Sequence, residues 1–515
     1  MPRIRQAILL TAAERYIVIS MNFLMIAIVA RLLTPDDFGL SVIGAAAIGL
    51  AECLRDFGVS GYLVQQTKLT RHETRTAFTV MAILSLLVAA VIWFSGPFLA
   101  TFYEREGLDA YMKVIAVGFL AGPVSGPIMA LMRRDMEFGK LAIVNIASGA
   151  VTAVVTVCIA LWNASFMSFA YGVAAGAFAS SVMAIALRRD FWVFKPAIAE
   201  WRSVAHFGGY SSATGMLSKA YEFVPSLVIG RVLDINAVGL YSRAASVSVL
   251  PDKCLLVGLV QIALPAMAAE IRAGRSLKFL YLQSLSFITA VQWPSLIVLA
   301  FLAHPAVLIL LGGQWTEIVP LLQVMCLGLL LSFPTLLTYS LLVAMGQVRD
   351  AMIGSVIVLV AGAVIFLIAA PAGLMATAIA SVVCVGVQSA VSLFYVRRHV
   401  AFSIGEMAES LKASTIIAAA STIAPAAIWM WNGFSFEISF VAAFVSGTGA
   451  LIGWGLGLWW TRHPLFSELV LLKQFVLKAP DLLRKALRGN GWGKISGPGE
   501  SGIVKGVPDQ TPSAS

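Results

Sequence analysis

The chain has 515 residues, 59% of them hydrophobic and 12% charged, with a formal net charge of +10 and a mean hydropathy of +0.89. Soluble domains carry about 45–50% apolar and about 25% charged residues. The composition therefore excludes a soluble enzyme and points to an all-α polytopic membrane protein. A bilayer-crossing helix needs about 20 mostly apolar residues. Fourteen such stretches follow one another: 15–33, 38–54, 77–101, 111–132, 141–162, 166–187, 211–232, 238–266, 281–303, 318–345, 352–371, 374–396, 413–431 and 438–460. Charges interrupt 38–54 and 211–232. A twelve-helix count follows if 413–460 forms one re-entrant hairpin. Glu14 and Arg15 break the first apolar run and no small-residue cleavage site follows it, so it is expected to remain as a permanent span.

Alternate loops carry the positive charge. Arg71, Arg75, Arg133, Arg134, Lys140, Arg188, Arg189, Lys195, Arg272, Arg275, Arg397 and Arg398 fall on one side. The other side holds little beyond Arg31, Arg105, Lys113 and Arg231. This placement argues against a nucleic-acid partner and, by the positive-inside rule, puts both termini in the cytoplasm. The five cysteines, Cys53, Cys158, Cys254, Cys326 and Cys384, all lie in apolar stretches. They read as small buried hydrophobes with no disulfide framework.

The chain repeats itself. Residues 30–40, ARLLTPDDFGL, and 230–240, GRVLDINAVGL, share an arginine, a leucine and the closing Gly-Leu at an offset of 200. GFLAGP (118–123) parallels GLLLSFP (328–334), and Arg188–Arg189 parallels Arg397–Arg398. The expected organisation is two parallel six-helix repeats around a central cleft, 1–200 and 201–400. An added helix pair (401–462) and a cytoplasmic tail (463–515) follow. In the tail, 465–488 reads as a basic amphipathic helix on an anionic leaflet, and the Gly/Pro/Ser-rich end as disordered. Prolines 123, 127, 225, 251, 294, 334 and 425 are expected inside helices as kinks.

No P-loop, paired-cysteine metal site or nucleophile elbow is present, so no catalytic residue, metal or cofactor is expected. The candidate site consists of charges inside apolar runs, which are costly there unless they face a polar interior. Lys219, Arg243, Lys253, Arg55 and Arg15 are candidates for binding an anionic headgroup. Glu222, Asp252, Glu52 and Asp56 are candidates for coupling to an ion, and Glu52 and Asp252 are equivalent under the 200-residue offset. The alternative is that pairs such as Lys219–Glu222 and Glu52–Arg55 only neutralise each other.

Five phrases, VARLLTPDDFGL (29–40), LRDFGVSGYLVQQ (54–66), RRDMEFGKLA (133–142), VGLYSRA (238–244) and LLGGQWTEIVPLLQVMCLG (310–328), resemble the polysaccharide-transport, Wzx-like branch of the MOP flippase superfamily. Within it they are similar to exporters of colanic acid and succinoglycan repeat units. The resemblance implies a flippase of the bacterial inner membrane. It would carry an undecaprenyl-diphosphate-linked oligosaccharide for exopolysaccharide or lipopolysaccharide synthesis through a cationic cleft. The expected partners are that lipid-linked substrate, membrane lipids, a proton or sodium ion for coupling, and polysaccharide polymerase or export machinery. A MATE-like exporter of small cations that uses the four acids is the alternative; an integral polymerase and a non-transporting scaffold are more distant ones.

Overall fold

The computed structural model describes residues 2–65, 69–163, 165–198 and 201–467. All regular structure among them is helical. In chain order it comprises α1 (Pro2–Val29), α2 (Pro35–Asp56), α3 (Val59–Gln65), α4 (Arg71–Phe102), α5 (Gly107–Phe119), α6 (Gly122–Arg134), α7 (Phe138–Asn163), α8 (Met167–Leu187), α9 (Trp201–Val232), α10 (Ile235–Ser248), α11 (Val257–Arg272), α12 (Leu277–Phe301), α13 (Ala303–Leu310), α14 (Val319–Leu329), α15 (Thr335–Ala344), α16 (Val348–Ala369), α17 (Leu374–His399), α18 (Ile404–Trp431) and α19 (Phe440–Trp460). Nine spans in the described residues are long and apolar enough to cross a membrane, and α5 with α6 makes a tenth that is bent by 45°. The protein is a multi-pass membrane protein. Most of the expected tail helix (465–488), and all of the Gly/Pro/Ser-rich end, lies outside the described residues.

Local chemistry sets the helix starts. Thr34 with Asp37, Thr70 with Glu73, and Ser403 with Glu406 form capping boxes, in which side chain and backbone satisfy each other's orphan N–H groups. The prolines divide into two groups. Pro127, Pro225, Pro294 and Pro425 lie inside continuous helices, as does Pro97. Pro123, Pro251 and Pro334 do not: they stand at helix breaks, Pro123 and Pro334 at the starts of α6 and α15 and Pro251 immediately before a π-helical turn, Asp252–Leu256. At the first two, neighbouring residues leave the helix, so a proline without an N–H costs nothing as a first-turn residue.

Two features join the first and second parts of the chain. At the first, α2 crosses α10 at Gly39 and Gly239: a Cβ on Gly39 would strike the Ile235 carbonyl, and one on Gly239 the Pro35 carbonyl. Small residues let backbones approach this closely, and in lipid such packing is a main source of helix association. The second is a latch at the same end. Trp315, fully buried, donates from Nε1 to the Ala30 carbonyl (2.7 Å) and stacks edge-on against Phe38 at 5.2 Å. Gln314 donates to the carbonyls of Ala30 and Leu33, and Arg31 donates back to Ile309 (2.8 Å). One buried apolar cluster runs from Met25 and Phe38 through Val238 to Trp315 and Leu322. In the added pair, α19 lies on α18 along Gly449 and Gly453, where a Cβ would meet Ala424 and Ala420.

At the opposite end, Arg188 pairs with Asp135 (2.7 Å), Glu137 (3.5 Å) and Asp190 (2.6 Å). Burial pushes the Asp190 carboxyl up, but hydrogen bonds from Arg188 and Trp192 and the Arg188 charge outweigh it and hold Asp190 below the usual aspartate range. A carboxylate lowered in the folded state stabilises fully above its unfolded value and loses that contribution as pH falls through the lowered one. In acid melts of the detergent-solubilised protein, Arg188→Met lacks that contribution, so it should be less stable than wild type near neutral pH and the gap should close as pH falls through the acid range. A gap that stays constant into acid would contradict this.

The cysteines depart from expectation. Cys326 and Cys384 are buried, but Cys158 and Cys254 are exposed. An outward-facing thiol on a membrane helix meets hydrocarbon, which a small weakly polar side chain tolerates.

Candidate functional site

Along α2, Gly49 leaves room for the Phe223 ring of α9 and the stem of Lys219; a Cβ there would lie 2.7 Å from Phe223 and 3.6 Å from Lys219 Cδ. Gly215 gives the same room to Cys53. The seam between α2 and α9 therefore carries Lys219 into the neighbourhood of Glu52 and Cys53. Lys219 Nζ donates to Glu222 Oε2 at 2.7 Å and sits 5.8 Å from the Phe223 ring centroid. Three apart on one helix, the two share a face. The pair is not sealed: the side chains are 40% and 59% exposed. A bare charge in hydrocarbon costs about 2.5–3.5 kcal/mol, so the open side of the pair belongs against water or a polar ligand.

Other candidates are placed differently. Glu52 lies 3.9 Å from Arg55. Arg55 turns away from the seam, over the Phe119 ring (4.9 Å) and against Gly122, into the break between α5 and α6. Asp56 accepts from Ser60 at 2.7 Å. Arg243 stacks over Phe38 at 4.7 Å, beside the latch, and its buried Nε has no hydrogen-bond partner among the described residues. Arg15 is exposed on α1, whereas its neighbour Glu14 accepts from Asn145 (2.8 Å). The structure brings Glu52, Lys219 and Glu222 together. Arg15, Arg243, Asp252 and Lys253 stand apart from that group.

Asp252 has partners that its own neighbourhood in the chain gives no hint of. Gln292 Nε2 donates to both carboxylate oxygens (3.0 and 2.9 Å) and lies 3.1 Å from Ser332 Oγ. Gln292 is almost fully buried, and its Oε1 has no partner among the described residues. Lys253, next in sequence, is exposed, and it is Gln292 that engages the carboxylate. The available signal was positional: Gln292 and Ser332 each precede a helix-distorting proline by two residues.

Over residues 28–320, more than half of its length, the chain matches the family model described as polysaccharide biosynthesis protein. The chain belongs to the polysaccharide biosynthesis protein family. The resemblance read from the five sequence phrases is thereby borne out. One relative is the lipopolysaccharide biosynthesis protein WzxC of Escherichia coli (strain K12), 25% identical over 62% of this chain and 66% of WzxC. Another is the succinoglycan biosynthesis transport protein ExoT of Rhizobium meliloti (strain 1021), 24% identical over 64% of this chain and 67% of ExoT. The matched region thus spans just under two thirds of WzxC. Among solved structures, the lipid II flippase MurJ in an inward closed conformation superposes with a TM-score of 0.70, covering 90% of this chain and 99% of MurJ. At 12% identity that likeness shows the fold alone.

Proposed function

We propose that this member of the polysaccharide biosynthesis protein family flips undecaprenyl-diphosphate-linked oligosaccharide repeat units from the cytoplasmic to the periplasmic leaflet of a bacterial inner membrane. It does so by alternating access between two parallel six-helix halves. The chain crosses fourteen times, with α5–α6, α10–α11 and α14–α15 each crossing once as a broken helix. Both termini are cytoplasmic. The latch of Trp315 on Ala30 then closes the cleft towards the periplasm, and the Lys219 seam opens towards the cytoplasm.

The observation that carries the proposal is the half-exposed ammonium of Lys219 between α2 and α9. A diphosphate offers that cation a polyanionic partner, and the prenyl chain can remain in lipid. The relatives' printed roles, lipopolysaccharide biosynthesis and succinoglycan transport, support the substrate class. Arg243, Lys253, Arg55 and Arg15 are secondary anion contacts. Glu222, Asp252, Glu52 and Asp56 are the candidate groups through which a proton or sodium gradient drives the cycle.

Lys219→Met, reconstituted in proteoliposomes with a lipid-linked oligosaccharide, should flip at least about tenfold more slowly, the loss of one charge-assisted contact worth about 1.5–3 kcal/mol. Unchanged rates in Lys219→Met, Arg243→Met and Lys253→Met alike would overturn the reading. The acids clustered about Lys219, Glu52 and Glu222, favour one rival, a small-cation exporter. Cation efflux that depends on them, with no lipid movement, would select it.

A further inference from the structure

A second polar space lies apart from the Lys219 seam. Between α9, α15, α16 and α17 is a cavity of about 270 Å³. That is near the lower end of small-ligand pockets, which run to roughly 300–1,000 Å³. In so apolar a chain its lining is unusual: more than half of the side chains carry a hydroxyl or amide, and the only charge among the described lining residues is Asp350. Asp350 is already engaged by His399 Nε2 at 2.7 Å.

The polar groups are arranged as both donors and acceptors. Tyr221 donates its hydroxyl to Gln388 Oε1 at 3.1 Å, which leaves the Gln388 amide N–H groups without a partner among the described residues. Thr335 and Thr338 give their protons to the carbonyls of Ser332 (2.7 Å) and Pro334 (2.8 Å). Their oxygens keep lone pairs free to accept. The Tyr221 and Tyr395 rings supply flat apolar walls. Donors, acceptors and aromatic faces without a cation match the surface of a neutral sugar ring, whose hydroxyls donate and accept and whose C–H faces are apolar.

The position of α9 links this cavity to the anion seam. Ser218 and Tyr221 line the cavity, and Lys219 and Glu222 follow each by one residue. Successive residues on an α-helix are about 100° apart. One turn of α9 therefore shows a cation to one side and a hydroxyl-lined space to the next. We infer that this cavity in the second half of the chain is a saccharide subsite. It holds a neutral hexose of a lipid-linked glycan while Lys219 meets the diphosphate, an assignment that rests on the flippase reading above. With Asp350 in its lining and no cation within it, the site disfavours a uronic acid.

The test uses the full-length protein in lipid nanodiscs and three probes: polyprenyl diphosphate bearing one glucose, the same lipid bearing one glucuronic acid, and the bare polyprenyl diphosphate. Wild type should bind the glucosyl probe about tenfold more tightly than the bare lipid, the effect of one or two net hydrogen bonds. The glucuronosyl probe should gain nothing. Gln388→Leu should remove most of the glucosyl advantage and leave the bare lipid's affinity unchanged. Tyr221→Phe, which keeps the ring, should remove part of it even if Gln388→Leu folds poorly. Equal binding of glucosyl and bare lipid by wild type, or equal weakening of all three probes by the variants, would overturn the subsite while leaving the flippase reading intact. No binding of any probe to wild type would overturn both.

Discussion

Gly239→Val should prevent the protein from holding its fold, or sharply lower its thermal midpoint in detergent. In the native crossing, α2 and α10 meet backbone to backbone, and a Cβ at 239 already collides with the Pro35 carbonyl. A backbone atom cannot rotate aside as the end of a long side chain can. The helices must separate, and separation strips contacts from Ile43, Val238 and Leu240, all buried. Overpacking costs about 1–3 kcal/mol where side chains can give way; here the obstacle is main chain, so the cost lies at or above the top of that range. Gly39→Val faces the Ile235 carbonyl and should behave alike. Gly455→Ala is the control, because a Cβ there has nothing within 4 Å. A Gly239→Val protein that melts with wild type would show that the two helices are not in this contact.

Trp315→Ala should both destabilise the protein and free the latch. The indole is fully buried, and truncating a buried tryptophan costs about 3–5 kcal/mol. The Ala30 carbonyl also loses its donor, although Gln314 still reaches it. Trp315→Phe keeps an apolar ring against Phe38 but gives up the hydrogen bond and part of the indole's packing. It should lose more than one hydrogen bond's worth, about 1 kcal/mol, and less than the alanine variant. The functional readout is labelling of a cysteine introduced at Asp36, which pairs with Arg105 at 2.8 Å beside the latch. Labelling by a water-soluble reagent should be faster in Trp315→Ala than in wild type and intermediate in Trp315→Phe. If Trp315→Ala melts lower but labels at the wild-type rate, Trp315 is packing alone and the latch does not gate the cleft.

Much of the fold was legible because lipid imposes simple demands. Long apolar runs, capping boxes and proline positions mark most helices, since each backbone N–H and C=O must be satisfied within its own segment. The uneven stretches were less legible. Residues 111–132 and 318–345 look continuous in hydropathy, yet each divides into two helices, at Leu120–Ala121 and Leu330–Pro334. Apolar composition reports immersion in lipid and is silent about where a helix bends. The Lys219–Glu222 pair was visible because both partners sit on one helix. The partner of Asp252 was not, because Gln292 is 40 residues away and an amide in an apolar run raises no alarm. The cavity around Gln388 was hidden for the same reason: its hydroxyls are spread over four helices and converge only in space.

The π-helical turn at Asp252–Leu256 has a further effect, on phase. A π turn accommodates one residue more per turn than an α turn, and one residue corresponds to about 100° of helical rotation. The apolar stripe of α11, with Ala263 and Met267 turned inward, is thus set by that extra residue and not by the face that α10 presents. The turn works as a phase shifter. It lets one stretch of chain present one face to α2 through α10 and a differently oriented face to α12 and α15 through α11, with Asp252 at the joint.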